Sequence, residues 1–209
     1  MDSEIAGSGA LGDFPDIVDL ARWLCGEPDS VGAITATFVD ERPSPSDPQS
    51  KNRVDVDDAF EAIVRYRNGA IGFLEGSRFC PGRKNYETIE LNAEKGSIHF
   101  NLENMNYLNV YFREDDDDLA AGFHSINVTE AFHPYMKHWW PHGHIIGWEN
   151  TFVHMAYRMC NAIANDLPLS PDVATFEDGY KAAVVCDAIL ESARTGHTIA
   201  VQYDTLPLA

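Results

Sequence analysis

Three stretches of the chain carry apolar residues at the three- and four-residue spacing of an amphipathic helix. In the first stretch, the residues that would share one face are Ile17, Leu20, Ala21 and Leu24. The predicted helices span residues 14–25, 150–165 and 177–195. Gly26 and Gly196 follow the first and last of these helices, at positions where glycine commonly ends a helix.

Between the helices, apolar and β-branched residues alternate with polar ones, which is the period of a half-buried strand. The predicted strands span residues 31–39, 59–66, 70–76, 86–92, 97–102, 107–112 and 198–203. Asn68-Gly69 separates the second from the third and is a strong hairpin signal. The proline-rich segment 42–48 is predicted to be an exposed loop. Consecutive hairpins with helices at both ends predict an α+β fold, with an open, mainly antiparallel sheet and helices packed on one face.

Composition and charge limit the classes of partner. The chain has 209 residues, 44% of them apolar, which allows a sizeable core and is most simply a single domain over residues 1–209. Thirty-three acidic against 15 basic residues give a formal charge of -18, so nucleic acid and anionic membrane surfaces would be repelled. No apolar run approaches the ~20 residues of a membrane span, and the first residues are unlike a basic signal peptide. We therefore expect a cytoplasmic protein with no nucleic acid or membrane partner.

The histidines and cysteines do not form a recognisable metal pattern. Six of the eight histidines lie within residues 124–154, but Pro141 separates His138 from His142 and no cysteine or glutamate completes a zinc motif. The unbroken acidic run 114–118 is typical of a solvated turn rather than of a calcium loop. The four cysteines are widely spaced, which favours reduced thiols over a disulfide framework. We expect no metal site.

A glycine-rich turn opens the chain. Gly7-x-Gly9-x-x-Gly12 matches a dinucleotide-binding pattern, but such a turn follows a buried strand, and residues 1–5 supply one good strand residue. Asp40 and Glu41 end the next predicted strand, where a dinucleotide-binding unit carries the acidic residue that bonds to the ribose, so the nucleotide alternative stays open. The simpler interpretation is a turn into a helix, with Asp13 as its N-cap and Asp16 three residues later.

Three segments carry a family resemblance that covers nearly the whole chain. Residues 6–13, Ala-Gly-Ser-Gly-Ala-Leu-Gly-Asp, resemble the start of the substrate domain in the glucose-fructose oxidoreductase and inositol dehydrogenase family (Gfo/Idh/MocA). Residues 139–154, Trp-Trp-Pro-His-Gly-His-Ile-Ile-Gly-Trp-Glu-Asn-Thr-Phe-Val-His, resemble the family's substrate-side loop and following helix, and residues 176–196 resemble its closing helix. The resemblance implies the C-terminal substrate and oligomerisation domain of a two-domain NAD(P)-dependent dehydrogenase that acts on sugars or cyclitols.

The resemblance also implies departures from the family. The N-terminal Rossmann domain, which carries the family's Glu-Lys-Pro lysine, has no counterpart, so we expect this chain alone to bind no NAD(P). Family members often read Gly-Asp-x-Gly-x-His-x-x-Asp, whereas residues 12–19 read Gly-Asp-Phe-Pro-Asp-Ile-Val-Asp, one residue shorter and without the histidine. Asp13 matches the motif aspartate and Asp16 lies near the vacant histidine position, which makes these two the catalytic candidates.

The substrate-binding candidates lie in the aromatic, glycine-containing loop before the second helix. They are Trp140, His142, His144, Trp148 and Glu149. Aromatic faces stack on sugar rings, and imidazole and carboxylate groups bond to sugar hydroxyls. The alternative is that the tryptophans cover the sheet and that Glu149 caps the helix. If the loop binds substrate, we expect His142, His144 and Trp148 to line one pocket with Asp13.

Two functions remain open. In the first, the chain is the substrate-binding and oligomerisation part of an NAD(P)-dependent sugar or cyclitol dehydrogenase. It would be inactive until a nucleotide-binding domain is supplied, for example by a separate Rossmann-domain chain. In the second, it is a stand-alone non-redox sugar-binding or assembly protein with the same fold. We expect a homodimer or higher homo-oligomer that buries the sheet face not covered by helices, because Ile63, Ile71, Phe73, Ile89 and Leu91 have to be accommodated across both faces of the sheet.

Overall fold

A computed structural model of the chain describes residues 2–44, 46–115, 119–169, 171 and 173–204. These residues form two compact units. The first is built from Met1–Pro81 and Ala174–Ala209, and the second from Gly82–Val173. The expectation of a single domain over residues 1–209 stays a prediction.

The first unit is an antiparallel sheet with helices on one face. Its helices are α1 (Ser3–Ala6), α2 (Ala10–Asp13), α3 (Pro15–Cys25) and α5 (Phe176–Thr195). Its strands are β1 (Pro28–Ala36), β2 (Glu41–Pro43), β3 (Lys51–Arg53), β4 (Ala59–Tyr66), β5 (Ile71–Ser77) and β10 (Ile199–Ala200). Four strands form one sheet in the order β10-β1-β4-β5, and β2 pairs with β3 separately. Every pairing is antiparallel.

Alternation along β4 decides which face of this sheet is buried. Phe60 and Val64 are buried, and they pack with Val31 of β1 and with Val185 and Ile189 of α5 in the core. On the opposite face, Ile34, Ile63, Ile71 and Phe73 are 67–77% exposed. The predicted α+β fold, with an open antiparallel sheet and helices on one face, is confirmed.

The predicted loop 42–48 begins inside a strand, because its first two residues belong to β2, which pairs with β3. Arg42 of β2 also bonds to a buried carboxylate, that of Asp58. Asp58 is buried, and its carboxylate accepts hydrogen bonds from the N–H groups of Phe38 and Val39, both at 2.8 Å, and from Arg42 at 3.1 Å. Burial alone would raise the pKa of Asp58, but these donors outweigh it and hold the pKa below the ordinary 3.8. Pro45 lies outside the described residues.

The second unit contains another four-stranded antiparallel sheet, in the order β6-β7-β8-β9, and one long helix. Its elements are β6 (Thr88–Ala93), β7 (Gly96–Asn101), β8 (Tyr107–Phe112), β9 (His124–Asn127) and α4 (Trp148–Asn165). β9 was not predicted, because four residues with one large apolar side chain give no periodic signal. Of the acidic run 114–118, residues 116–118 lie outside the described residues.

Helix α4 has an unusual distribution of side chains. Its half-buried positions are mainly polar and include Asn150, His154, Arg158 and Asn161. The large apolar side chains are 44–74% exposed and follow a helical stripe made of Trp148, Phe152, Met155, Met159 and Ile163. Among the described residues, no helix of the chain is both long and apolar enough to cross a membrane.

Candidate functional site

The glycine-rich opening turn is held by a buried carboxylate. Asp57 is 6% exposed and accepts hydrogen bonds from the N–H groups of Gly9 at 2.6 Å and Leu11 at 2.8 Å. Its carbonyl oxygen also accepts the N–H of Ala10 at 2.8 Å. A side chain at position 9 would place its Cβ 1.9 Å from that carbonyl oxygen, which explains the glycine. The amides that a dinucleotide phosphate would need are therefore already bonded, which favours the interpretation of a structural turn.

Asp13 is not a helix N-cap, so that prediction is wrong. It is the last residue of α2, and α3 begins after Phe14, whose side chain makes no capping bond. The reason is Pro15, which occupies the first turn of α3 and keeps the residue before it out of the helical conformation. The Asp13 carboxylate instead forms an ion pair with Arg78, with 2.6 Å between Oδ2 and Nε.

Asp16 is exposed in the first turn of α3, where a carboxylate interacts favourably with the helix dipole. Asp13 and Asp16 both belong to the first unit, whereas the five substrate-binding candidates belong to the second. The catalytic assignment of the two aspartates stays a prediction. So does the convergence of Asp13 with residues 139–147, the loop before α4 that carries His142 and His144 and is named the histidine loop.

Thr129 fixes the histidine loop at its start. The residue is 2% exposed, and its hydroxyl donates to Oδ1 of Asn127 while accepting the N–H of Gly143 at 3.2 Å. It also lies 2.9 Å from Nδ1 of His142. Because the single hydroxyl proton goes to Asn127, Nδ1 of His142 is the donor in that contact. The other ring nitrogen lies 3.4 Å from a carboxylate oxygen of Glu130.

Asn106 fixes the end of the same loop. Its side chain is buried and pairs with the backbone of Ile146, accepting the N–H at 3.0 Å and donating to the carbonyl at 2.8 Å. Two residues that the sequence analysis did not single out, Thr129 and Asn106, therefore set the loop conformation. Their only sequence signal is their polar character next to predicted strands.

The second unit contains a cavity of about 640 Å³ beside this loop, within the size range of small-molecule sites. Its lining includes two charged residues, Lys84 and Glu103, together with Asn104, Asn106, Asn127, Thr129, His144 and Trp148. His144 donates from Nδ1 to the carbonyl oxygen of Pro141 at 2.7 Å, so in the neutral ring Nε2 is the acceptor. Amide groups, an imidazole and an indole can bind the hydroxyls and the ring of a small polyhydroxylated molecule, and Lys84 and Glu103 add one residue of each charge to the same lining.

The predicted substrate residues have different positions relative to this cavity. His144 and Trp148 line the cavity. His142 does not line it but contacts Thr129, which does. Trp140 is 74% exposed, and its ring centroid lies 5.6 Å from that of His144, but it does not line the cavity. Glu149 is exposed in the first turn of α4. The N–H of Gly147 before that helix donates to Asn150 rather than to Glu149.

His154 on α4 has a packing role. Nε1 of Trp139 donates to its Nε2 at 2.7 Å, and the ring stacks on Tyr135 with 4.4 Å between centroids. Burial lowers the pKa of His154, in agreement with a neutral ring that accepts this hydrogen bond. Within the described ranges, no group of three histidine, cysteine, aspartate or glutamate side chains could hold a metal ion.

Comparison with known proteins identifies the family. Residues 1–99 match a family model described as the GFO/IDH/MocA C-terminal domain. The levoglucosan dehydrogenase of Pseudarthrobacter phenanthrenivorans is 40% identical over 202 residues, which are 90% of this chain and 50% of that protein. The chain belongs to the Gfo/Idh/MocA family.

Solved structures of Gfo/Idh/MocA proteins share this fold. An oxidoreductase domain protein from Kribbella flavida superposes with a TM-score of 0.88 at 38% identity, covering 97% of this chain and 54% of that one. Levoglucosan dehydrogenase in complex with NADH and levoglucosan gives a TM-score of 0.87 at 40% identity, covering 96% of this chain and 52% of that one. This Gfo/Idh/MocA chain thus spans about half the length of the relatives it matches.

Proposed function

We propose that this chain is the substrate-binding and oligomerisation part of an NAD(P)-dependent sugar or cyclitol dehydrogenase. The observation that carries the proposal is the cavity lined by His144, Trp148 and side-chain amides in a fold shared with a levoglucosan dehydrogenase. An indole face and neutral hydrogen-bonding groups are what a sugar ring and its hydroxyls need.

We place the protein in the cytoplasm.

Hydride transfer in this proposal requires a nucleotide-binding domain, in the same polypeptide or in a separate one. The only Gly-x-Gly-x-x-Gly turn of the described chain is occupied by Asp57. Positioning a hydride donor against the carbinol carbon is most of what such a protein contributes to the reaction. The 209 residues would supply the substrate side of that arrangement.

Calorimetric titration tests the proposal. We expect the chain to bind at least one of levoglucosan, L-sorbose and myo-inositol, and to bind NADH no more tightly than about 10 μM, roughly 7 kcal/mol. Sugar binding should weaken in His144→Ala, while His197→Ala, which removes an exposed histidine of the first unit, serves as the matched control. Tight NADH binding, or NAD-dependent turnover by the purified chain alone, would overturn the requirement for a further domain.

A stand-alone non-redox sugar-binding or assembly protein is the second candidate. It is favoured by the motif region, where Asp16 lies near the position of the family's histidine and Asp13 is engaged by Arg78. Joining the chain to a nucleotide-binding domain of a relative distinguishes the two functions. Sugar binding and NADH binding without turnover would favour this second candidate.

We further propose that the chain forms a homodimer through the open sheet face of the first unit. Four large apolar side chains on that face are 67–77% exposed. A cluster of exposed apolar side chains on one face is typical of a protein interface, whereas single exposed apolar residues are common on any surface. The charge of -18 opposes association, but it is screened within ~8 Å at physiological salt. Sedimentation equilibrium at micromolar concentration is the test, and a mass of 23.3 kDa throughout would contradict the dimer.

A further inference from the structure

A second cavity, shallow and about 300 Å³ in volume, lies at the start of the histidine loop. It is lined by His138, Trp139, Trp140 and Pro141. None of these four residues has a carboxylate, ammonium or guanidinium group, so the cavity offers ring faces and hydrogen-bonding nitrogens. Its volume is at the lower end of the range for small-molecule sites, which suits a single ring of a larger ligand.

The two tryptophans of this cavity have different environments, although they are adjacent in the chain. Trp139 is half-buried, and its indole N–H donates to His154 of α4 at 2.7 Å. Its backbone is extended, and successive side chains of an extended segment point in opposite directions. Trp140 is accordingly 74% exposed. The anchored Trp139 thus leaves the indole of Trp140 available to a ligand.

The polar atoms of the second cavity are free to bind a ligand. In the part of the chain that the structure describes, neither the indole N–H of Trp140 nor a ring nitrogen of His138 forms a hydrogen bond. Both side chains are exposed, so the hydroxyls of a ligand can reach these nitrogens without displacing a protein partner. An indole face beside free hydrogen-bonding nitrogens is the chemistry that binds a sugar ring.

Two contacts join the second cavity to the first one, the cavity of about 640 Å³. The ring centroids of Trp140 and His144 are 5.6 Å apart, and the carbonyl oxygen of Pro141 accepts a hydrogen bond from Nδ1 of His144 at 2.7 Å. Trp140 and Pro141 line the second cavity, whereas His144 lines the first. The walls of the two cavities therefore touch at His144.

We infer that the two cavities are neighbouring subsites for a disaccharide or similar glycoside, with one ring in the first cavity and the next ring stacked on Trp140. The inference rests on the proposed function and names its substrate class. Rings that share one glycosidic oxygen are immediate neighbours, as the side chains of Trp140 and His144 are. The second cavity has no cationic side chain, and the charge of -18 repels anions, so the second ring is a neutral one.

Calorimetry with one-ring ligands and their glycosides tests the second subsite. The pairs are levoglucosan with its glucoside cellobiosan, myo-inositol with its galactoside galactinol, and glucose with maltose and cellobiose. We expect at least one glycoside to bind at least about tenfold more tightly than its one-ring partner, because its second ring gains the stacking contact with Trp140.

Substitutions assign that gain to Trp140. Trp140→Ala should remove the gain and leave the affinity for the one-ring ligand within about twofold of the wild type, whereas Trp140→Phe keeps an aromatic face and should retain part of the gain. Trp23→Ala is the matched control, because it removes a 61% exposed tryptophan of the first unit, and it should change neither affinity. Circular dichroism verifies that each variant is folded.

The outcomes separate the second subsite from the proposed function. If a one-ring ligand binds but no glycoside binds more tightly, or if the gain persists in Trp140→Ala, the second subsite is overturned and the proposed function stands. If none of these ligands binds, both are overturned.

Discussion

Replacing Asp57 should destabilise the first unit more than any exposed carboxylate substitution. In Asp57→Ala, the N–H groups of Gly9 and Leu11 lose an ionised acceptor at 2.6 and 2.8 Å in a buried position. A hydrogen bond to a charged group contributes about 1.5–3 kcal/mol. Two such bonds give about 3–6 kcal/mol, and fraying of the short helix α2 should bring the loss toward the lower end, near 3 kcal/mol.

Asp57→Asn is a milder substitution, because the asparagine amide retains one acceptor oxygen. One of the two N–H groups can keep its bond, whereas the other faces the NH₂ group, so we expect about half the loss. Urea unfolding followed by circular dichroism measures the free energy of unfolding. Asp29→Asn, an exposed carboxylate of β1, is the control and should change stability by less than about 0.5 kcal/mol. A loss below about 1 kcal/mol in Asp57→Ala would refute the role assigned to this carboxylate.

Three further predictions concern other residues. Arg22 is buried and bonds to Asp19 at 2.7 Å and Glu27 at 2.8 Å, whose side chains are 28% and 32% exposed. Arg22→Met should therefore lower the free energy of unfolding by about 1–3 kcal/mol in urea titrations, and adding Glu27→Gln should recover part of the loss. The lowered pKa of Asp58 means that its stabilisation is present above its ordinary pKa and is lost as the pH falls through the folded-state value. Acid unfolding should therefore depend less steeply on pH in Asp58→Asn than in the wild type. His144→Ala should weaken sugar binding by about 1–3 kcal/mol in calorimetry, with unchanged thermal unfolding.

Local patterns in the sequence predicted most of the regular structure. β8 has the predicted bounds, and the hairpin at Asn68-Gly69 forms with Gly69 at a φ of +91°. These elements depend on neighbouring residues and on turn chemistry, which a sequence displays directly. The error at Asp13 has a local cause as well, since Pro15 starts α3 one residue later than an aspartate cap would require.

The contacts that shape the site were not predictable in this way. Asp57 bonds to amides 46 and 48 residues earlier in the chain, and Asn106 bonds to a backbone group 40 residues away. Neither pairing leaves a periodic or motif signal, because it depends on how strands and loops meet in space. His144 and Trp148 line the cavity and were named from the sequence because aromatic and imidazole side chains in a glycine-containing loop are typical of ligand binding, and their role in substrate binding stays a prediction.

The exposed stripe on α4 affects how the protein will behave in concentrated solution. Trp148, Phe152 and Met155 offer a surface to which hydrophobic resins, detergents and chaperones can bind. The high acidic charge keeps separate molecules apart at low ionic strength. Salt weakens that repulsion while leaving the stripe uncovered, and sulfate also strengthens apolar association. Colloidal stability should therefore fall as salt is added, so low-salt buffers are the better choice for handling this chain.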